Sequence, residues 1–202
     1  MERAIVVATG CPLAISDEYI TTEVPSSEGS NNVGISCSAA GHFFQHVRLS
    51  QLQSEIHGVQ FFDQSLPGNA SDYTDWIQTT ERSVQAWLEW FVIEGAAPDS
   101  AARAADRCLL LLYRPCSRNI IPDESYMRAA CSVAVRTIQR TCTAVQTGGL
   151  ISTYEDVFDA FQSSILLLYA IGSADTLEPG SALQGQAHQA LELLNPLFVS
   201  PH

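Results

Sequence analysis

Residues 35–62 read ISCSAAGHFFQHVRLSQLQSEIHGVQFF. The large apolar side chains of this stretch recur every three or four positions, and at about 100° per residue they fall within a sector of roughly 140° on a helical projection. They are Phe44, Leu49, Leu52, Ile56, Val59 and Phe62. Pro67 and Gly68 follow and stop the pattern. The stretch therefore predicts a long amphipathic helix that packs one face into a core.

The same kind of pattern, divided by glycine and proline, continues along the rest of the chain. Further helices are predicted at about 72–94, 99–113, 122–148, 152–172 and 181–194, the last ending before Pro196. In the third of these, Leu109–Leu112 is apolar on every side, which predicts central burial. No useful length of sequence alternates with period two, and neither Asn-Gly nor Asp-Gly occurs.

The predicted fold is therefore all-α, an irregular multi-helix domain of about six main helices with no sheet. Residues 1–34 are predicted to form an N-terminal helix remnant and a loop, and residues 35–202 a helical core domain.

The charge balance bears on partners. The chain has 22 acidic and 10 basic residues, all ten of them arginine, for a formal net charge of −12. Because nucleic-acid binding relies on clustered basic side chains that neutralise phosphates, direct contact with DNA or RNA is not expected. The same charge disfavours anionic membranes, and no apolar run approaches the roughly 20 residues that span a bilayer.

The six cysteines are scattered, and no two have the C-x-x-C spacing of a zinc site or a redox pair. Most fall inside predicted helices, where a free thiol behaves as a small apolar side chain. The apolar run at residues 4–8 is too short for the core of a signal peptide. These features predict an intracellular protein without disulfides, metal or cofactor.

Histidines mark one face of the first helix. His42, His46 and His57 lie, with Gln53, within about 60° of one another on the helical projection. Three interpretations are open: a solvated polar stripe, one wall of a ligand pocket or dimer interface, and a metal site built on the i, i+4 pair of His42 and His46. The metal site lacks a nearby acidic or cysteine ligand, so no metal is predicted.

Tryptophans dominate the second predicted helix. Trp87 and Trp90 fall near each other on one side of it, where Trp87 joins Leu88 and Phe91 as candidate core. Aromatic pairs of this kind fill cores or form ligand cages. If an apolar ligand binds, these two indoles are its candidate contacts, together with His42, His46 and His57.

Catalytic motifs are not found in the sequence. It contains no glycine-rich phosphate loop, no useful serine–histidine–aspartate order and no carboxylate pair with a positioned partner. Catalytic groups that meet only in space leave no such trace. No catalytic residue is assigned. The missing motifs weakly favour a protein that is not an enzyme, and an enzyme stays open as the alternative.

Three segments carry a family resemblance. Residues 10–18 read GCPLAISDE, residues 47–52 read VRLSQL, and residues 110–115 read LLLYRP. In this order and spacing they resemble the middle homology region, the regulatory domain of fungal zinc-cluster transcription factors. Family members often carry arginine where this chain has Cys11. The zinc cluster, its basic linker and the helices that precede the GCP loop are missing from this sequence.

The resemblance implies a regulatory, ligand-sensing helical domain that binds an effector or a partner and does not itself bind DNA. A small apolar metabolite and a related transcription factor are the implied partners, and the nucleus is the implied location. The alternative is a cytoplasmic, cofactor-independent enzyme of specialised metabolism on the same scaffold, an isomerase, cyclase or dehydratase acting on a polyketide- or terpenoid-like substrate.

Self-association is also predicted. The resemblance implies that residues 5–8 and part of the 43–62 helix lose the helices that would cover them. Exposed apolar faces of this kind favour pairing, and two-fold dimers are the commonest closed solution for identical chains. A homodimer is therefore expected.

Overall fold

The computed structural model describes residues 39–62, 64–68, 70–93, 98–119, 124–147, 154–172 and 182–199. Within these ranges the chain forms six α-helices. They are α1 (Ala39–Phe61), α2 (Tyr73–Ile93), α3 (Pro98–Leu112), α4 (Glu124–Gln146), α5 (Tyr154–Gly172) and α6 (Ala182–Val199). The described residues contain no strand, apart from an isolated bridge between Cys116 and Asn119. The predicted all-α class is confirmed.

The first five helices begin and end within a few residues of their predicted bounds, and α6 does not. It runs through Pro196 to Val199, whereas its predicted end was residue 194. Proline fixes φ near a helical value, so it can lie near a helix end if one backbone hydrogen bond is given up. The prediction that proline would stop this helix was wrong. The predicted N-terminal remnant and loop lie outside the described residues.

The connection between α1 and α2 is fixed by local hydrogen bonds. The carbonyl of Gly58 accepts from the backbone N–H groups of Phe62 and Gln64, at 3.1 and 3.2 Å, and so ends α1. At the start of α2 the Asp72 carboxylate accepts from the Asp75 N–H at 2.9 Å. The Asp75 carboxylate in turn accepts from the Ser71 N–H at 2.9 Å. This reciprocal arrangement satisfies donors that a helix start leaves open.

The chain divides into two compact units, Met1–Leu111 and Leu112–His202. In the first, α1 packs against α2. Buried apolar side chains from both helices form its core. They are Leu49, Ile56, Val59, Trp76, Ile77, Val84, Trp87 and Phe91. The leucines at 109–112 of α3 are all buried, which confirms the expectation drawn from their all-round apolar pattern.

In the second unit α4, α5 and α6 pack against one another. Small side chains allow their close approach, because Ala130, Ala134, Ala187 and Ala190 are all buried. Larger residues, among them Ile138 and Leu167, fill the remaining space. No helix of the described residues is long and apolar enough to cross a membrane.

Candidate functional site

Three contacts show that α1 and α2 run antiparallel. His42 meets Phe91 near the start of α1, Glu55 meets Trp76 further along, and Gln60 meets Tyr73 near its end. As the position on α1 rises, the position on α2 falls. This register brings the first two turns of α1 beside the last two turns of α2.

Aromatic rings meet at that junction around Phe91. Its ring stacks on the His42 imidazole with centroids 5.6 Å apart and planes 12° from parallel. The His46 ring lies 6.1 Å away. Trp87 and Trp90 lie 4.7 and 4.9 Å from Phe91, the latter edge to face. These five residues, named here the Phe91 cluster, include four of the five ligand-contact candidates taken from the sequence.

Two buried polar atoms lie in the same turns of α1. His42 Nε2 and Gln45 Oε1 are out of contact with water and have no hydrogen-bond partner within the part of the chain that the structure describes. The backbone carbonyl of Gln45, by contrast, accepts a hydrogen bond from Trp87 Nε1 at 2.7 Å. An unsatisfied buried polar group costs about 1–3 kcal/mol. The pair would therefore gain from a bound molecule that supplies the missing hydrogen bonds.

Trp90 lies beside Gly41 at the edge of the cluster. A Cβ atom added there would lie 3.6 Å from two ring carbons of Trp90, which is ordinary van der Waals contact. The indole therefore rests directly on the first turns of α1, and the His42 ring meets it edge to face at 5.8 Å. Trp90 is half-buried, whereas Trp87 is almost fully buried.

His57 lies elsewhere. It follows His46 by eleven residues, about 16 Å along a helix at 1.5 Å per residue. Its side chain is 2% exposed and lies beside Phe61 and Phe62, with ring centroids 5.4 and 5.1 Å away. The three histidines thus do not share one solvated stripe: His46 is exposed, His42 half-buried and His57 buried. Helical projection gives direction around an axis and ignores distance along it.

A metal centre gains no geometric support at this junction. The described residues contain no group of three or more histidine, cysteine, aspartate or glutamate side chains that could hold a metal ion. His42 and His46 both turn to the Phe91 ring.

Gln45 is the residue that sequence reasoning missed. It lies three positions after His42, so the two share a helix face, and that spacing was the available signal. Its importance comes from the burial of its Oε1 atom, which depends on tertiary packing. No protein-family model, curated protein or solved structure matches the chain.

Proposed function

We propose that the chain is a regulatory, ligand-sensing helical domain that binds a small, largely apolar effector at the Phe91 cluster and does not itself bind DNA. The observation that carries the proposal is the pair of buried polar atoms, His42 Nε2 and Gln45 Oε1, beside an aromatic surface. Ligand sites commonly combine apolar walls with a few placed polar groups.

The cluster favours a neutral ligand with a hydroxyl or amide group. Gln45 Oε1 accepts a hydrogen bond, so the ligand must offer a donor. His42 Nε2 donates or accepts according to its tautomer, and a hydroxyl can serve it in either state. The net charge of −12 disfavours anionic effectors. The half-buried rings of Trp90 and His42 are the parts of the cluster that can contact an aromatic or polycyclic body.

Regulation by such a domain would reach DNA through another protein. A related transcription factor is the partner that the family resemblance implies, and a second copy of this chain is the other. Binding of the effector would stabilise the α1–α2 junction and so alter the surface offered to that partner.

The second candidate is a cofactor-independent enzyme. An imidazole nitrogen beside an apolar surface is a suitable acid or base, and His42 has that environment. Catalytic histidines are usually oriented by a further hydrogen bond to a carboxylate or carbonyl. Among the residues that the structure describes, the contacts of His42 are with the rings of Trp90 and Phe91. Binding is therefore the better-supported role, and product formation from a hydroxylated polycyclic substrate would favour the enzyme.

We expect the domain to bind 2-naphthol, whose hydroxyl both donates and accepts beside a fused aromatic body. Calorimetric titration should show roughly a five- to tenfold weaker affinity for 2-methoxynaphthalene, since loss of one hydrogen bond is worth about 1–1.4 kcal/mol. Gln45→Leu and His42→Ala should each weaken 2-naphthol binding to a similar degree. His188→Ala, at an exposed position of α6, is the matched control and should change nothing. If the parent protein and the three variants bind 2-naphthol with equal affinity, the proposed site is wrong.

We also expect no useful affinity for duplex DNA. Basic side chains on the described helices are partly neutralised locally: Arg103 lies 3.6 Å from Asp99, and Arg128 lies 2.6 Å from Glu124. Anisotropy of a labelled duplex at about 150 mM salt should stay flat to roughly 100 µM protein, because few phosphates can be neutralised. Submicromolar binding of the duplex with a steep salt dependence would contradict this prediction.

A further inference from the structure

Four large apolar side chains project from α5 into solvent. Val157 is 59% exposed, Phe161 56%, Ile165 44% and Leu168 58%. The opposite side of the helix is covered, since Ser163, Leu166, Leu167 and Ala170 are buried. We name the four exposed residues the α5 stripe. A surface helix usually has polar side chains on its solvent-exposed face. The exposed face of α5 is apolar instead.

The α5 stripe is continuous and straight. Its members follow one another at intervals of four, four and three residues, which keeps them on one side of the helix. From Val157 to Leu168 the stripe extends over about 16 Å at 1.5 Å per residue. Contiguous apolar surface of this kind marks a protein interaction site more often than scattered exposed residues do.

The charge distribution along α5 selects the partner. Residues 160–172 contain no charged side chain, whereas the first turns carry Glu155, Asp156 and Asp159. Two antiparallel copies of α5 would set the acidic turns of each beside the uncharged end of the other. Two parallel copies would bring the acidic turns together, where like charges repel. The uncharged part also lets two chains of net charge −12 meet without close repulsion.

We propose that the α5 stripe binds the α5 stripe of a second copy of this chain, with the two helices antiparallel about a two-fold axis between Phe161 and Ile165. Val157 then faces the partner's Leu168, and Phe161 faces the partner's Ile165. A two-fold contact uses the same patch on both copies. When one copy of the stripe is reversed, its four apolar residues lie opposite the four apolar residues of the other copy. The inference is independent of the Phe91 cluster, which lies on other helices.

The size of the surface sets the strength of the contact. Four half-exposed large side chains offer on the order of 400 Å² per copy, about half of the area in an interface of standard size. The dimer is therefore weak, with a dissociation constant on the order of 10–100 µM. Added salt strengthens it, because screening reduces the repulsion between the two acidic chains.

Sedimentation equilibrium of the full chain between about 2 and 300 µM tests the proposal. The expected mass rises from 21.9 kDa towards twice that value. Phe161→Glu should weaken association at least tenfold, because it places two new carboxylates, one from each copy, against an apolar surface. Phe43→Glu is the matched control, since Phe43 on α1 is 60% exposed and should leave the mass curve unchanged.

A charge-pair experiment tests the antiparallel arrangement. Val157→Lys and Leu168→Glu should each weaken the dimer, and the double variant should recover affinity because each new lysine then faces a new glutamate. In a parallel pair the double variant would set like charges together and lose further affinity. A single 21.9 kDa species at every concentration, or a dimer lost in Phe43→Glu and kept in Phe161→Glu, overturns the proposal.

Discussion

Trp87→Ala should lower the free energy of unfolding by about 3–5 kcal/mol, the range typical of a buried aromatic residue replaced by alanine. Trp87 is 1% exposed, packs on Phe91 at 4.7 Å and donates a hydrogen bond to the Gln45 carbonyl at 2.7 Å. The substitution removes the ring contacts, leaves a cavity between α1 and α2, and takes away that donor. Urea unfolding followed by far-ultraviolet circular dichroism measures the change.

Trp90→Ala provides the comparison on the same helix. Trp90 is half-buried and rests on Gly41, so less area returns to water when it is removed. Its effect should be less than half that of Trp87→Ala, since the stabilisation follows the apolar area buried. Equal losses of stability in the two variants would contradict the assignment of Trp87 to the buried core and of Trp90 to its partly exposed edge.

Alkaline pH should destabilise the protein from about pH 9 upward. Burial raises the pKa of the Cys108 thiol from 9.0 to about 12 and that of Cys131 to about 11. Below pH 9 these thiols are protonated in both the folded and the unfolded chain. Above it the unfolded chain releases protons that the folded chain retains, so the free energy of unfolding falls as pH rises. Cys108 alone gives a loss on the order of 2–3 kcal/mol between pH 9 and 11.

Denaturant unfolding at half-unit pH intervals from 8 to 11 measures this slope. Burial also raises the pKa of Cys142 and Tyr126, which adds to the same trend. The Cys108→Ala/Cys131→Ala variant should be less stable at pH 8 and should show a flatter pH dependence. If that variant and the parent protein lose stability in parallel up to pH 11, the buried thiols are not the cause.

The helices of this protein were predictable because their evidence is local. Apolar periodicity, prolines and glycines place five of the six within a few residues, and the all-round apolar run at 109–112 correctly indicates burial. The exception at Pro196 is also local, since proline weakens a helix without always ending it.

The candidate site was predictable only in part. His42, His46, Trp87 and Trp90 do meet, because an antiparallel pair brings the start of α1 to the end of α2. His57 belongs to another neighbourhood, and Gln45 gained its importance from burial that no periodicity encodes. The α5 stripe could not be predicted for the same reason. Apolar residues occur on all sides of this helix, so the sequence does not indicate which side is covered.

The expected homodimer and the fungal regulatory-domain resemblance stay predictions. The resemblance depends partly on residues 10–18, outside the described ranges, and partly on segments that lie in α1 and at the end of α3. The contact proposed at the α5 stripe lies on a different helix from the 43–62 interface expected from the sequence, and the matched Phe43 and Phe161 variants separate those two surfaces.

The packing of helices with their neighbours along the chain has a consequence for how quickly the protein folds. α1 meets α2, and α4, α5 and α6 meet one another, so most contacts close short loops. Topologies with such local contacts fold in microseconds to milliseconds. During synthesis the α1–α2 pair is complete before α4 leaves the ribosome, so we expect these two helices to form their shared core while the second unit is still being made.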